Sequence, residues 1–295
     1  MKRIVTIGTF DGLHRGHHEV IRTLLAEADR RGLTPTVMTF DRHPLETVAP
    51  ERAPRLLSGI ERRDKLLQEA GVEVVRLEFT DELRQISAKE WMTRLAHNYG
   101  AEAIVIGYDN TFGSDGADLT IADFRRLGEE TGVEIIEAPA IPGCSSSAAR
   151  RAIAAGDTSS AQKILGRPFC VSGRVEHGRG IGRTIGVPTV NLSTDPRQLL
   201  PLEGVYAATV AAPDGEFLAV VNIGRAPTLT DGTSLALEAH LLDFDGDLYG
   251  KTIEVKFGPR LRDEMKFPSV EALKLRIAAD IEAARKKLAL PRPKP

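Results

Sequence analysis

A basic, glycine-rich stretch, residues 173–191, is the part of this sequence best suited to chemistry. It reads GRVEHGRGIGRTIGVPTVN and, counting Gly166 just upstream, brings six glycines together with three arginines. Glycines at this density let the backbone approach a ligand and point N–H groups at phosphate oxygens. A surface turn is the plain alternative, but here arginines alternate with the glycines. We therefore interpret the stretch as a nucleotide-phosphate cradle. Its candidate nucleotide contacts are Gly178, Gly182, Arg183, Gly186, Pro188, Thr189 and Asn191.

The stretch closes on a hydroxyl and an amide that suit a divalent cation. Thr189 and Asn191 are two residues apart, so in an extended segment both side chains lie on one face. Hard cations such as Mg²⁺ take oxygen ligands. We predict a magnesium site at these two residues, beside the phosphates.

A second candidate site follows the first strand-like run, in residues 8–17, GTFDGLHRGH. His14 and His17 can both face a ligand lying over the N-terminus of the next helix, an end that favours anions. There they can stabilise charge that develops on phosphorus without becoming nucleophiles. A metal site is one rival interpretation, although no third ligand is near, and capping histidines are another. The candidate nucleotide contacts here are Gly8, Phe10, Asp11, Gly12 and Gly16.

Composition argues against several classes of protein. The 295 residues are enough for two domains, and 39 Lys+Arg against 41 Asp+Glu leave a net charge of -2. This balance lacks the basic field of a nucleic-acid-binding protein. Two cysteines outside any CxxC motif argue against a disulfide scaffold or a structural zinc site. Because a strand-like run begins at Arg3 and no apolar run is long enough to span a membrane, we expect no signal peptide, no membrane partner and a cytoplasmic location. The sequence does not predict an oligomeric state, and transient self-association is compatible with it.

The first half has the pattern of an α/β domain that would position residues 8–17. Short β-branched runs alternate with amphipathic helical stretches, which predicts a parallel sheet covered on both faces, with ligands at the carboxyl ends of its strands. This rule points to residues 8–17, 40–44 and 107–113. The predicted strands are 3–7, 35–39, 72–77, 103–106 and 134–138, and the predicted helices include 18–31 and 61–71.

The second half has the spacing of an antiparallel barrel or sandwich that would position residues 173–191. Its runs are separated by turns rich in Pro, Asp and Gly. Ser269 is predicted to cap a final helix that ends near Leu288. We expect the boundary near residues 156–168, with domains at 1–160 and 165–290. The predicted strands are 206–211, 218–222, 235–243 and 252–257.

Taken together, the motifs resemble the bacterial bifunctional riboflavin kinase/FMN adenylyltransferase (FAD synthetase) family. The element from His14 to His17 resembles the His-x-Gly-His signature of nucleotidyltransferases. Residues 145–150, SSSAAR, resemble that superfamily's Ser-Ser-Thr-x-x-Arg phosphate motif. Residues 173–191 resemble the riboflavin kinase signature, which ends in Pro-Thr-Ala-Asn. Further blocks similar to the kinase are 204–206, 222–228, 238–244, 247–250 and 262–267.

The resemblance implies a Rossmann-like nucleotidyltransferase domain followed by an antiparallel β-barrel riboflavin kinase domain with a C-terminal helix. With ATP and Mg²⁺, the barrel would phosphorylate riboflavin to FMN, and the first domain would adenylylate FMN to FAD and release pyrophosphate. The catalytic residues that it implies are Glu238, His14, His17 and Arg150. The nucleotide contacts that it adds are Asp109, Ser146 and Ser147, and the flavin contacts are Tyr108, Phe112, Arg262 and Glu264.

Two departures from the family's pattern affect the first domain. In residues 107–113, GYDNTFG, Asn110 stands where the family's Gly-x-Asp/Asn-Phe-x-Phe-Gly pattern has its first aromatic residue, and Ala148 and Ala149 reduce the charge and bulk that are usual beside Arg150. The departures leave a second hypothesis, riboflavin kinase activity alone with a degraded or re-tasked adenylyltransferase domain. A third is a flavin-binding protein without turnover, against which the candidate base Glu238 argues. A dinucleotide-binding dehydrogenase is excluded because no G-x-G-x-x-G follows the first strand.

Overall fold

The computed structural model describes residues 1–108, 111–178, 182, 185–227 and 233–288. The chain divides into two compact units. The first contains Met1–Arg55 and Gly59–Ser146, and the second contains Leu56–Ser58 and the chain from Ser147 onward. Among the described helices, none combines the length and the apolar character needed to cross a membrane.

The first unit is an α/β sandwich around a parallel sheet. Its strands are β1 (Arg3–Ile7), β2 (Thr34–Phe40), β3 (Glu73–Leu77), β4 (Ala101–Ile106) and β5 (Glu134–Glu137), in the order β3-β2-β1-β4-β5, and every pair is parallel. Its helices are α1 (Arg15–Arg31), α2 (Pro44–Val48), α3 (Ile60–Glu69), α4 (Asp81–Gln85), α5 (Ala88–Tyr99) and α6 (Ile121–Thr131). The predicted parallel sheet is confirmed, and the strands differ from their predicted bounds only at the ends.

Two apolar clusters, one on each face of the sheet, account for strands that are hydrophobic throughout. One cluster contains Trp91 and Phe124, and the other contains Leu13 and Leu24. Helices that cover both faces require apolar side chains on both sides of each strand. Helix α1 stops at Gly32, whose φ of 66° is left-handed and therefore suits glycine.

The second unit is a closed antiparallel barrel with helices around it. Its helices are α7 (Ser146–Ala154), of which Ser146 is counted with the first unit, α8 (Thr158–Leu165) and α9 (Val270–Leu288). The barrel strands are β6 (Cys170–Glu176), β7 (Val190–Thr194), β8 (Gly204–Ala212), β9 (Gly215–Pro227), β10 (Thr233–Leu241) and β11 (Thr252–Arg262), in the order β10-β7-β6-β11-β8-β9. The predicted barrel and final helix are confirmed, whereas β6 and β7 were not predicted.

Glycine inside β6 explains why that strand is hard to recognise. Gly173 faces β7 so closely that a Cβ atom there would lie 2.8 Å from the carbonyl oxygen of Ser193. A glycine in a strand interior often marks such an approach, at the expense of strand propensity. Strand β6 therefore has a glycine in its interior, a residue that in sequence is more typical of a turn.

Helices α7 and α8 contribute to the core of the barrel unit. Ala149, Ile153 and Leu165 are buried in the same cluster as the inward-facing barrel residues. Residues 147–160, which the sequence analysis places with the first domain, thus pack with the barrel. Leu57 joins this cluster as well, in a short segment whose Leu56 N–H donates to the carbonyl of Arg197 at 2.8 Å.

Candidate active sites

A row of polar side chains crosses four neighbouring strands of the barrel. Glu176 pairs with Asn191, Asn191 with Glu238, and Glu238 with Asn222. Directly opposed residues on paired strands share a face, and Leu237, the neighbour of Glu238, is buried in the barrel core. Since alternate residues of a strand point to opposite faces, the row lies on the outer wall of the barrel.

A cavity of about 330 Å³ lies between this wall and helix α9. Six residues predicted from sequence line it together: Gly182, Thr189, Asn191, Glu238, Arg262 and Glu264. Helix α9 supplies Leu273, Ile277 and Asp280. The cavity therefore combines carboxylate, hydroxyl and amide groups with an apolar side, a composition typical of small-molecule sites.

Arg262 is fixed in this cavity by a carboxylate on the helix. Its Nε and Nη2 donate to Asp280 at 2.9 and 2.8 Å, and its Nη1 donates to the carbonyl of Asp263 at 2.8 Å. The guanidinium also lies 5.7 Å from the ring centre of Phe267. Asp280 is 2% exposed. The ion pair thus ties the end of β11 to α9.

Three further polar residues belong to this site and were not singled out by sequence. The Asn222 amide donates to Glu264 at 3.3 Å, and Nδ1 of His240 lies 2.7 Å from the carbonyl oxygen of Pro188. Both residues fall in blocks that resemble the kinase family, which is the signal that could have found them. Asp280 carries no comparable signal, because a carboxylate in an amphipathic helix looks like part of a solvated face.

The glycines of the predicted cradle are needed for close packing. A Cβ atom on Gly178 would lie 2.0 Å from Asn191 Nδ2, and one on Gly182 would lie 2.4 Å from the carbonyl oxygen of Val187. The N–H of Val187 donates to Gly182 at 2.8 Å. Gly182 lines the cavity, and Gly186 has a left-handed φ of 79°. The backbone at Gly178 and Gly182 therefore has no room for a side chain, because it packs closely against Asn191 and Val187.

In the first unit, the turn from β1 into α1 is held in an unusual conformation. Phe10, Gly12 and Leu13 have φ values of 48°, 78° and 36°. Residues with side chains rarely adopt positive φ and do so where their surroundings enforce it. Both Phe10 and Leu13 are buried in the core on the α1 side of the sheet. Their burial stabilises the turn that delivers His14 to the start of α1.

His14 and His17 form a stacked pair at this helix N-terminus. Their ring centres are 3.7 Å apart, and Nδ1 of His14 accepts the His17 N–H at 3.3 Å. The capping role is thus present at His14, and it places the proton of a neutral ring on Nε2. Gly16 makes the arrangement possible, since a Cβ atom there would lie 3.0 Å from His14 Nδ1. Phe10 packs against His17 at 5.0 Å between ring centres, so its predicted nucleotide contact would come from its backbone.

The predicted phosphate residues are distributed over both units. Ser146 donates from Oγ to the carbonyl of Asp11 at 3.0 Å, within the first unit. Ser147 and Arg150 lie in the part of α7 that belongs to the second unit. Asp109, Asn110 and Arg183 lie outside the described residues.

A second cavity, of about 490 Å³, opens at the carboxyl ends of the parallel strands. Gly8, Phe40, Trp91 and Phe112 line it. Phe40 and Phe112 fall in segments to which the strand-end rule points, whereas Trp91 comes from α5 and carried no signal. Tyr108 is 78% exposed and does not line this cavity.

Comparisons with known proteins match each half of the chain to the family that its motifs resemble. A family model described as FAD synthetase matches residues 1–148, and one described as riboflavin kinase matches residues 165–288. A bifunctional riboflavin kinase/FMN adenylyltransferase of Pseudomonas fluorescens is 38% identical over 287 residues, which cover 96% of this chain and 92% of that protein. The protein of the same description from Escherichia coli K12 is 36% identical over 299 residues, covering 98% and 94%. The chain belongs to the bifunctional riboflavin kinase/FMN adenylyltransferase family.

Members of this family combine the two domains that the sequence motifs indicate, so the expected family, fold and pair of activities are confirmed. A crystal structure described as a macrolide-efflux protein from Streptococcus pneumoniae is also similar. It is 33% identical, has a TM-score of 0.86, and the match covers 96% of this chain and 94% of that one. The likeness extends over both halves of the chain.

Proposed function

We propose that this chain makes FAD from riboflavin in two steps, one in each unit. The barrel cavity would phosphorylate riboflavin, and the site at the start of α1 would adenylylate FMN. The observation that carries the proposal is that Thr189, Asn191 and Glu238 line one cavity. Phosphoryl transfer to an alcohol requires a base for the hydroxyl proton and oxygen ligands for the metal ion on the phosphates, and one wall of the cavity carries both.

In the kinase step, Glu238 removes the proton from the 5′-hydroxyl of riboflavin. The hydroxyl oxygen attacks the γ-phosphorus of ATP, the bond from that phosphorus to the β–γ bridging oxygen breaks, and ADP leaves. The N–H groups of the glycine-rich backbone would face the phosphates. Arg262, fixed by Asp280, and Glu264, held by Asn222, would orient the flavin side.

Magnesium fits the oxygen donors of this cavity. The Thr189 hydroxyl lies beside the glycine backbone, 3.1 Å from where a Cβ atom on Gly182 would be, and the amide of Asn191 lines the same cavity. Mg²⁺ is commonly bound by one or two protein oxygens together with substrate phosphates and water. When bound, it would neutralise charge on the ATP phosphates, while Thr189 and Asn191 hold it in place.

In the adenylylation step, a phosphate oxygen of FMN attacks the α-phosphorus of ATP and pyrophosphate leaves. His14 and His17 would stabilise the charge on the phosphoryl oxygens. The aromatic cavity beside Gly8 would hold the isoalloxazine ring, because its volume and its apolar lining suit a flavin. Because Gly8 lines this cavity and is followed by the turn into α1, the reacting phosphate of FMN would lie near the start of α1.

We further propose that the residues that carry the two activities lie within residues 1–160 and 165–290, although residues 147–160 pack with the barrel, and that the enzyme works in the cytoplasm on small molecules rather than on nucleic acid or membranes. Family membership and the absence of a basic net charge support this assignment.

Separate half-reactions test the proposal. In Glu238→Gln, phosphorylation of riboflavin should fall by at least ~100-fold, the lower end of the range for one general base, while adenylylation of added FMN is retained. The double variant His14→Ala, His17→Ala should show the reverse pattern. If each variant lost both reactions equally, the two-site proposal would be wrong.

A further inference from the structure

One charged side chain lines the cavity of the first unit. Arg84, near the end of α4, is the single charged residue among the lining residues in the described part of the chain. Phe79, Leu83 and Trp91 line the same cavity. A guanidinium offers five N–H donors in a fixed fork, which suits carbonyl or phosphate oxygens.

The ion pair of Arg84 with Asp81 is weak, so Arg84 can exchange it for a contact with a ligand. Its Nε lies 3.4 Å from Asp81, one turn earlier in the same short helix, and the Asp81 side chain is 77% exposed. Such exposed pairs contribute little, because water and salt screen them. The guanidinium can therefore turn to a ligand at small cost.

The position of Arg84 in the sheet order indicates which part of a ligand it meets. Helix α4 follows β3, two strands away from β1, and neighbouring strands are about 4.8 Å apart. Gly8 and the His14–His17 pair follow β1 directly. Under the proposed function, the phosphate of FMN must lie at the β1 end, where it reacts. The ring then extends toward Arg84.

The isoalloxazine ring has an apolar dimethylbenzene edge and a pyrimidine edge with two carbonyl oxygens. We propose that Arg84 donates hydrogen bonds to the carbonyl oxygens of the pyrimidine edge, and so determines the specificity of the first unit for flavins. The aromatic residues of the cavity hold the plane of the ring, and Arg84 sets its direction. This inference rests on the proposed adenylylation of FMN.

The test is Arg84→Met, which keeps the apolar stem and removes the donors. Arg94→Met is the matched control, since Arg94 pairs with Glu90 at 2.9 Å and does not line the cavity. We expect the KM for FMN to rise about tenfold, equivalent to ~1.4 kcal/mol, with a smaller change in kcat. Lumiflavin, which has the ring but neither ribityl chain nor phosphate, should show the same rise in its inhibition constant against FMN.

Arg84→Lys keeps the charge without the fork and should give an intermediate KM. The inference is overturned if Arg84→Met matches the Arg94→Met control, or if Lys is no better than Met. It is also overturned if the KM for FMN rises while lumiflavin inhibition is unchanged, because Arg84 would then hold the phosphate. Failure of the proposed function looks different, since the unmodified enzyme would then make no FAD from FMN.

Discussion

Replacing Asp280 by Asn removes the counter-charge of a buried arginine without changing the shape of the side chain. Arg262, its partner at 2.8 Å, has a side chain that is 12% exposed, whereas Arg276, its second partner at 3.2 Å, is 41% exposed. The loss therefore falls almost entirely on Arg262. Breaking a buried pair costs ~3–5 kcal/mol, and because Asn retains one acceptor oxygen we expect about 3 kcal/mol. With a urea m-value of about 2 kcal/mol/M, the unfolding midpoint of the barrel unit should fall by about 1.5 M.

The sequence itself provides a way to observe the units separately. The chain has one tryptophan, Trp91, and it lies in the first unit. Tryptophan fluorescence should therefore give an unchanged midpoint, while the residual riboflavin phosphorylation and the far-ultraviolet circular dichroism of the barrel shift. Asp263→Asn is the matched control, since Asp263 is 82% exposed and its pair with Arg260 should contribute ~0–1 kcal/mol. The reasoning is refuted if Asp280→Asn shifts the barrel midpoint no more than this control does.

Replacing both charges tests whether the cost of Asp280→Asn comes from the unpaired charge on Arg262. Arg262→Met with Asp280→Leu removes the pair without leaving an isolated charge, and such replacements are often neutral or stabilising. The double variant should regain most of the stability lost in Asp280→Asn but bind riboflavin poorly. If it were no more stable than Asp280→Asn, the cost would not come from the unpaired charge.

Two further predictions concern the first unit. Gly16→Ala should lower kcat/KM for adenylylation about 10–100-fold by displacing His14, while kinase turnover is unchanged. The control Gly59→Ala places a methyl group where it meets nothing within 4 Å, so its adenylylation should be unchanged. Equal adenylylation activity in the two variants would contradict the close packing at Gly16. A hydrogen bond from Arg3 lowers the pKa of Glu73, so the stabilisation is present above the unfolded-state pKa of about 4.3 and is lost as pH falls through the folded-state value. The difference in tryptophan-monitored urea midpoint between the unmodified protein and Glu73→Gln should thus shrink toward pH 3, and a constant difference would contradict it.

Local patterns in the sequence were sufficient to predict the parallel sheet and most of the barrel. Apolar runs between helical stretches define β1 to β5, and Asn191 and Thr189 line one cavity as their two-residue spacing predicts. Strand β6 was missed because Gly173 reads as a turn residue, although the glycine is there to admit β7. At this position, close packing between strands determines the residue, and the low strand propensity of glycine does not prevent strand formation.

The remaining parts of both sites depend on contacts distant in sequence. Asp280 becomes part of the barrel site only because α9 lies on the outer wall, and Trp91 reaches the cavity of the first unit from a helix. Ala149 gives a similar lesson. It lacks the charge and bulk that are usual beside Arg150, and its side chain is buried in the core of the barrel unit, where the small size serves packing. None of these three placements can be inferred from residue spacing.

The central claim, two successive reactions in one chain, is tested most directly by a time course with the purified protein. Riboflavin, ATP and Mg²⁺ are incubated with it, and the flavins are separated by chromatography. The account predicts that FMN appears first and that FAD follows at its expense. FMN that accumulates without FAD, even when FMN and ATP are supplied directly, would contradict the account and leave riboflavin kinase as the sole activity.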